Sequence, residues 1–425
     1  MEIRDVIHGT IDVSRPEKMI IDSPFFQRLR NIKQLGFGEN SFPGATHNRY
    51  IHSLGAMHLA DMAFQNAFTV DRGASFATRY PEAFERLKST LRVAALLHDV
   101  GHGPLSHTTE FAMPQLPELG LELPFGKEKR QANHEDYTLK IILQSSLTPV
   151  LRKAMGYLGV EPLHIACLIN KSIPAPDDFF MVGAVDYRPI LCQLISSEID
   201  VDRMDYLTRD SFYAGVSYGK FDLQWLITNL THHESGGKCY LALNHKALYT
   251  LDDFLISRFH MFLMVYFHHK CVVFDEILGR YLRSPDCDYV IPADVEKYVF
   301  YDDYHLYTHL SKSPNEWANR IYHKRPYKML VEFHSGIPQG EPFRLEQEQL
   351  LQELLADLKE QGKDYILKTT TGEFSKYFRR EDHAPLYVKY DNRLQPARYI
   401  PLQECSDLFE RYSENRSITR VYVPE

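Results

Sequence analysis

Long apolar runs are missing from this 425-residue chain. None approaches the ~18 residues a helix needs to cross a bilayer. The longest in the aromatic-rich segment is Met261 to Phe267. The opening MEIRDVIHGT has no apolar stretch of the signal-peptide kind, so the expected compartment is the cytoplasm and no membrane partner is expected. Cysteine is sparse: six residues, with no CxxC and no regular spacing. That excludes a disulfide frame and a zinc knuckle and reads as reduced thiols. Positive charge is in deficit, since 48 Lys+Arg against 56 Asp+Glu leave −8 with His neutral. A broadly basic nucleic-acid surface is thereby excluded, and any anionic ligand must be met by a local cluster of cations. Repeats and low-complexity tracts are also missing. With 44% hydrophobic and 24% charged residues, disordered and fibrous classes are out.

What the chain has in quantity is histidine, 20 in all, set in mostly helical sequence. Ser23-Pro24 offers a cap and a first-turn proline for a helix running to about Leu35. A second helix is predicted from Arg49 to Phe68, and a third ends in RVAALLHDVGHGP, where Gly101, Gly103 and Pro104 break it. Residues 113–130 read as a loop. Asn133 caps a helix with Glu135 and Asp136 in its first turn, and a long helix is predicted from Thr250 to Leu282. Past residue 330 a helical RLEQEQLLQELLADLKEQ precedes strand-like DYILKT, PLYVKY and TRVYVP. The expected architecture is mainly α: a helical core over residues 1–330 and a small α/β region over 331–425.

Seven histidines fall between residues 47 and 134: His47, His52, His58, His98, His102, His107 and His134. Any one alone is an ordinary core or surface histidine. Grouped, and with His98 adjoining Asp99, they offer imidazole and carboxylate without thiolate, a set suited to a borderline-to-hard divalent ion. Gly101 and Gly103 carry no side chain, so backbone and ligand can approach closely there. A second constellation lies in SSEIDVDRMDYLTRDSFYAG. At ~100° per helical residue, Asp202, Arg203, Tyr206 and Asp210 share one face. They offer a carboxylate for a metal, a guanidinium for phosphate, and a phenol and a second carboxylate for hydroxyls. The same spacing suits a solvated face laced with charge pairs, which Glu198 and Asp205 fit better than Tyr206 does.

NRYIHSLG, LLHDVGHGPLSH and EIDVDRMDYLTRD, in that order, resemble the HD-domain phosphohydrolases, and among them the deoxynucleoside triphosphate triphosphohydrolases. DVIHGTI, IDSPFFQRLRNIKQLG and FPGATHNRYIHS are similar to the same family, as is the long helix after SYGKFD. The resemblance spans residues 1–285.

It implies that His52, His98, Asp99 and Asp202 hold one divalent ion (Mn, Fe, Co, Zn, Ni or Mg). It implies His134 as the active-site histidine, with Glu110 standing where the family has its partnering Asp. Arg49, His102, His107 and Arg203 would contact phosphates, Arg203 in place of an expected Lys. Gln34, Tyr206 and Asp210 would read the sugar, Leu35 would pack on the nucleoside, and His268 would reach the phosphates. Where one branch of the family has a terminal-phosphate Arg, this chain has Met264; Arg258, six residues earlier, falls near the opposite helical face. Asp22, Gln27 and Arg30 match an activating nucleotide site at a subunit interface, or belong to an ordinary amphipathic helix. The implied activity is hydrolysis of a dNTP to deoxynucleoside and triphosphate by a homo-oligomer, dimer or tetramer. A nucleotidase or phosphodiesterase of the same superfamily, and a nucleotide-binding sensor with little turnover, stay open.

Overall fold

In the computed structural model, which describes residues 1–69, 75–335, 341–372, 384–392, 394–408 and 416–424, the central element is the helix Arg49–Ala67. Asn48 starts it, its side-chain oxygen accepting from the Ile51 amide at 3.2 Å. Apolar residues on all sides of this helix are buried, Leu54, Met57, Leu59 and Phe64 among them, which marks a helix enclosed by others. Each such side chain contributes about 1.5–3 kcal/mol by leaving water. Helices Pro81–Leu97 and Val201–Ala214 flank it, and small residues at the crossings let them come close. Gly55 is the tightest: a Cβ there would lie 1.9 Å from Asp205 Oδ1 and 2.5 Å from Arg209 Nη2. Gly55→Ala is therefore expected to cost about 1–3 kcal/mol, the range for overpacking a close-packed interior. A urea midpoint equal to that of the parent would refute this.

The fold is mainly helical, as the residue pattern implies. The helices expected at 49–68, before His98 and after Asn133 are present, the last with a capping box between Asn133 and Asp136. Residues 113–130, read as loop, hold one short turn of helix, Leu116–Leu119. Two other expectations change. The helix expected over residues 24–35 is only the turn Pro24–Gln27 followed by the 3-10 turn Arg28–Asn31. Ile32 is extended because its carbonyl accepts from the Arg49 amide at 3.0 Å, and the Gln34 amide donates to the His47 carbonyl at 3.0 Å. Pairing with the strand of chain before Arg49 replaces helical bonds there. The helix expected over 250–282 is two, Leu248–Met261 and His269–Leu282, joined by a π-turn at Phe262–Tyr266.

Eleven strands are present among the described residues. β1 (Glu2–Asp5) and β2 (Gly9–Asp12) form a hairpin. β3 (Met181–Val182), β4 (Val185–Asp186), β5 (Leu230–Ser235) and β6 (Lys238–Asn244) lie within sequence that reads as helical. β7 (Lys328–His334), β8 (Ile366–Gly372), β9 (Tyr387–Tyr390), β10 (Arg398–Pro401) and β11 (Arg416–Val423) include the three expected runs. The expected helix lies between β7 and β8 at Glu341–Glu360. One sheet has the order β10-β9-β6-β4-β3 with β5 on β6, so strands from either side of residue 330 share it. The other, β7-β11-β8, is antiparallel and rests on the π-turn region. There Arg420 donates to the Phe267 carbonyl at 2.6 Å and the Tyr422 hydroxyl to the His269 carbonyl at 3.1 Å. No helix among the described residues is long and apolar enough to cross a membrane.

Candidate active site

Three elements converge where the Arg49–Ala67 helix begins. His52 comes from its first turn, His98 and Asp99 from the end of the Pro81–Leu97 helix, and Asp202 from the first turn of Val201–Ala214. His52 Nε2 lies 3.1 Å from Asp202 Oδ1 and 3.4 Å from Asp99 Oδ2; His98 Nε2 lies 3.4 Å from Asp202 Oδ1 and 3.5 Å from Asp99 Oδ1. Both imidazoles are turned by their other nitrogen. His52 Nδ1 donates to Asp205 Oδ2 at 2.8 Å and His98 Nδ1 to the Ala95 carbonyl at 2.7 Å. That tautomer leaves each buried Nε2 without a hydrogen-bond partner, aimed at carboxylate oxygens. Two lone-pair nitrogens and two carboxylates facing one another is a stable arrangement only around positive charge. His52, His98 and Asp202 bring their ligand atoms together and fit a divalent cation, Asp99 stands beside them, and Asp205 and Ala95 are the outer groups that fix ring orientation.

The electrostatics agree. Burial lowers the His52 imidazole, but the nearby carboxylates of Asp202, Asp205 and Asp99 outweigh it and push it up to about 10, so the pocket draws positive charge. Burial would raise Asp99, yet the Arg49 guanidinium and the neighbouring imidazoles hold it well below the usual carboxylate range. Arg49 bonds Asp99 directly and donates through Nε to Ser106 Oγ at 2.8 Å.

His102, His107, Glu110 and His134 form a second group beside the first. Gly101 permits this, because a Cβ there would lie 2.2 Å from the His134 carbonyl oxygen and 2.3 Å from the Thr138 nitrogen. Glu110 Oε1 accepts from His134 Nδ1 at 2.5 Å and from His107 Nδ1 at 2.9 Å. Burial opposes ionisation of Glu110, but these two bonds and the imidazole charges bring it down to about 2. The longer Glu side chain thus reaches the histidine. His102 and His134 lie face to face, centroids 3.8 Å apart at 14°. Parallel rings so spaced cannot both direct in-plane nitrogens at one ion ~2.1 Å away. The arrangement suits proton transfer rather than shared ligation. Burial and the Arg49 charge keep His102 well below its ordinary pKa, so it is neutral near pH 7 and stands 3.2 Å from Asp99 Oδ1.

A cavity of about 330 Å³ adjoins both groups through Arg49 and His107. Gln34, Leu35, Tyr206 and Asp210 line it, four residues that the resemblance placed around a sugar and its base. Tyr266, from the π-turn, donates to Asp210 Oδ2 at 2.8 Å, while His47 Nε2 pairs with Asp210 Oδ1 at 2.7 Å. Arg203 lies outside that lining, paired with Glu198 at 3.0 Å and Asp200 at 3.4 Å. His268 also lies outside it, in a separate cavity of about 350 Å³ with Met264, Glu332 and Arg420. Asp22, Gln27 and Arg30 share a third cavity of about 650 Å³ with Arg4, Lys18 and Tyr50. Arg30 stacks on Tyr50 at 3.6 Å and donates to Gln27 Oε1 at 2.8 Å.

Two residues that spacing left aside prove central. Asp205, which suits a solvated face by pattern, is 0% exposed and bonds His8, His52 and Arg209. Arg258, opposite Met264 on an ideal helix, is the one that faces inward: it is buried, 3.8 Å from Glu198, while Met264 is exposed. Its position on the stripe Leu251, Leu255, Arg258 was the available signal, a charge on a buried face.

Residues 49–210 match the HD domain and residues 221–367 the HD-associated region. The chain is an HD-domain protein. HD domains bind divalent metals, and the His/Asp cluster of this HD-domain protein could hold one. The chain is 33% identical over 309 residues to the uncharacterized protein YwfO of Bacillus subtilis, covering 70% of this chain and 60% of that one. It is 29% identical over 325 residues to deoxynucleoside triphosphate triphosphohydrolase SAMHD1 of Homo sapiens, covering 73% and 49%. The chain thus spans between about half and three fifths of the length of these curated relatives. Among solved structures, a hypothetical protein from Aquifex aeolicus superposes with a TM-score of 0.72 at 25% identity, covering 100% of this chain and 96% of that one.

Proposed function

We propose that this HD-domain protein hydrolyses deoxynucleoside triphosphates to deoxynucleoside and triphosphate. The observation that carries the proposal is Arg49, which ties the His52/His98/Asp99/Asp202 cluster to a cavity walled by Tyr206 and Asp210. A relative named as a deoxynucleoside triphosphate triphosphohydrolase supports it. When bound, the divalent ion supplies Lewis-acid polarisation of a phosphoryl oxygen and acidifies water. His52, His98, Asp99 and Asp202 would hold it. Arg49 offsets charge that develops on the phosphate oxygens, with His102 and His107 as further phosphate contacts, while Arg203 and His268, which the resemblance implied for the same task, stand outside this cavity. Water adds to the α-phosphorus and the bond to O5′ breaks; His134 Nε2 gives that oxygen a proton and is restored by the proton the attacking water releases, while Glu110 fixes the ring through Nδ1. Gln34 and Asp210 bind the sugar and Leu35 the nucleoside. Tyr206 fills the space beside C2′, disfavouring a ribose hydroxyl left without a partner.

A nucleotidase acting on a shorter phosphate chain gains support from the outward-facing Met264, but Arg258 beside Glu198 supplies a cation on the inner side. We extend the proposal to a nucleotide activator at the Asp22, Gln27 and Arg30 cavity of a dimer or tetramer. One experiment covers these points: Mn-loaded protein with dNTPs, products resolved by anion exchange, and mass followed by light scattering. Triphosphate and deoxynucleoside in equal amounts are expected, from an oligomer. Monophosphate release would sink the activity, and a monomer with and without dNTPs would sink the assembly.

A further inference from the structure

Asp275 lies in the second turn of the His269–Leu282 helix and lines the same cavity as Arg49, Leu35 and Tyr206. Its Oδ1 accepts from the Thr108 hydroxyl at 2.9 Å. That is the only side-chain hydrogen bond Asp275 makes among the described residues, so Oδ2 is uncommitted in a residue that lines the cavity. Part of the cavity wall is apolar and aromatic, formed by Leu35, Phe37, Phe262, Val265 and Tyr266. The carboxyl is held in place, since Phe37 stacks on the adjacent Phe274 at 5.2 Å and pins the helix to the Gly36–Asn40 turn. A carboxyl at such a wall is costly unless it is hydrogen-bonded, and one bond to Thr108 leaves most of its acceptor capacity unused. Burial pushes it up to about 7, with Thr108 and Lys368 opposing the rise and Glu276 adding to it. Nothing in the metal or phosphate chemistry uses this group.

We propose that Asp275 reads the base of the bound nucleotide and selects guanine. The inference rests on the triphosphohydrolase proposal in placing a nucleotide in this cavity. Ionised, as it is above about pH 7, the Asp275 carboxylate accepts hydrogen bonds and donates none. Guanine presents two adjacent donors on one edge, N1–H and the 2-amino group. Adenine and cytosine present one donor beside an acceptor, and thymine one donor between two acceptors. The flat apolar walls hold the ring, and Oδ2 with the free lone pair of Oδ1 meets the donor edge.

The test compares kcat/KM of the Mn-loaded full chain on dGTP, dCTP and dITP, the last lacking the 2-amino group. A preference for dGTP over dCTP of about 10-fold or more is expected, within the range of a good base-edge pair, with dITP between them. Asp275→Asn should bring the dGTP/dCTP ratio close to one. Thr108→Val, which removes the hydrogen bond but not the carboxylate, should keep the preference. A parent enzyme indifferent to the base, or a Thr108→Val variant that loses the preference as Asp275→Asn does, overturns the proposal. If Asp275→Asn fails to fold, the dGTP/dITP ratio of the parent decides alone: equal values overturn it. If no dNTP turns over, the triphosphohydrolase proposal fails separately, and calorimetry with deoxyguanosine and deoxycytidine decides Asp275. Tighter deoxyguanosine binding supports the assignment, and equal or absent binding overturns it.

Discussion

Asp205→Ala is expected to cost about 3–5 kcal/mol of stability, the range for leaving a buried charge uncompensated. Asp205 is fully buried and spends both oxygens on partners. Oδ1 accepts from His8 at 2.6 Å and Arg209 Nη2 at 2.8 Å; Oδ2 accepts from His52 and Arg209 Nε, each at 2.8 Å. Without it the buried Arg209 keeps, among the described residues, Asp5 alone, at 2.8 Å, and the Nε2 of His8 loses its acceptor. Because the same carboxylate orients a proposed metal ligand, divalent-ion affinity should fall 10–100-fold as well, the usual effect of losing such an outer partner. Asp205→Asn separates the two effects. It keeps an acceptor for His52 but not the charge, so it should recover more metal affinity than stability. Urea unfolding with and without EDTA, plus Mn titration, measures both. An Asp205→Ala protein within about 1 kcal/mol of the parent would show that Arg209 is solvated or repaired by other groups.

Why Asp205 escapes the sequence is instructive. Its pairing with Arg209 follows from i,i+4 spacing, and such a pair is most often a solvated one. Burial comes from His8 and Asp5, roughly 200 residues away, carried in by the β1–β2 hairpin. No local pattern encodes that meeting. The signals that were legible are local ones: the Asn133 capping box, the break after RVAALLHDV, and the His98-Asp99 pair. The β5–β6 hairpin was missed, although Gly236-Gly237 is the residue pair a two-residue turn favours, and both glycines have positive φ. Helical sequence on either side masks it. Arg258 shows the opposite limit. Helical spacing put it and Met264 on opposite faces correctly, but which face looks inward depends on the strands β7, β11 and β8 covering the π-turn.

His134→Ala should lower kcat by about 10²–10⁴-fold, the loss that follows removal of a positioned acid or base. His134 stands at the head of its helix, its Nδ1 committed to Glu110 and its ring stacked on the neutral His102. Only Nε2 remains to exchange a proton, so no neighbouring group in the cluster can take over without changing its own bonds. His134 is not one of the four proposed metal ligands, so a His134→Ala protein should bind Mn with the parent's stoichiometry. That control separates a lost proton donor from a lost ion. Glu110→Gln should act through His134, and its loss is bounded by the ~10⁴-fold drop that follows when an orienting carboxylate becomes an amide. The pH dependence has a definite sign. Glu110 is brought down from 4.5 to about 2 by its two histidines, so its contribution to stability is fully present above about pH 4.5. That contribution is lost as pH falls through about 2. Parent and Glu110→Gln melting curves should therefore differ most at mildly acidic pH, where Glu110 is ionised and the imidazole charges that hold it are present, and converge toward pH 2. Near-full turnover by His134→Ala would remove this histidine from the mechanism and return the proton-transfer role to His107, which shares the same Glu110 oxygen.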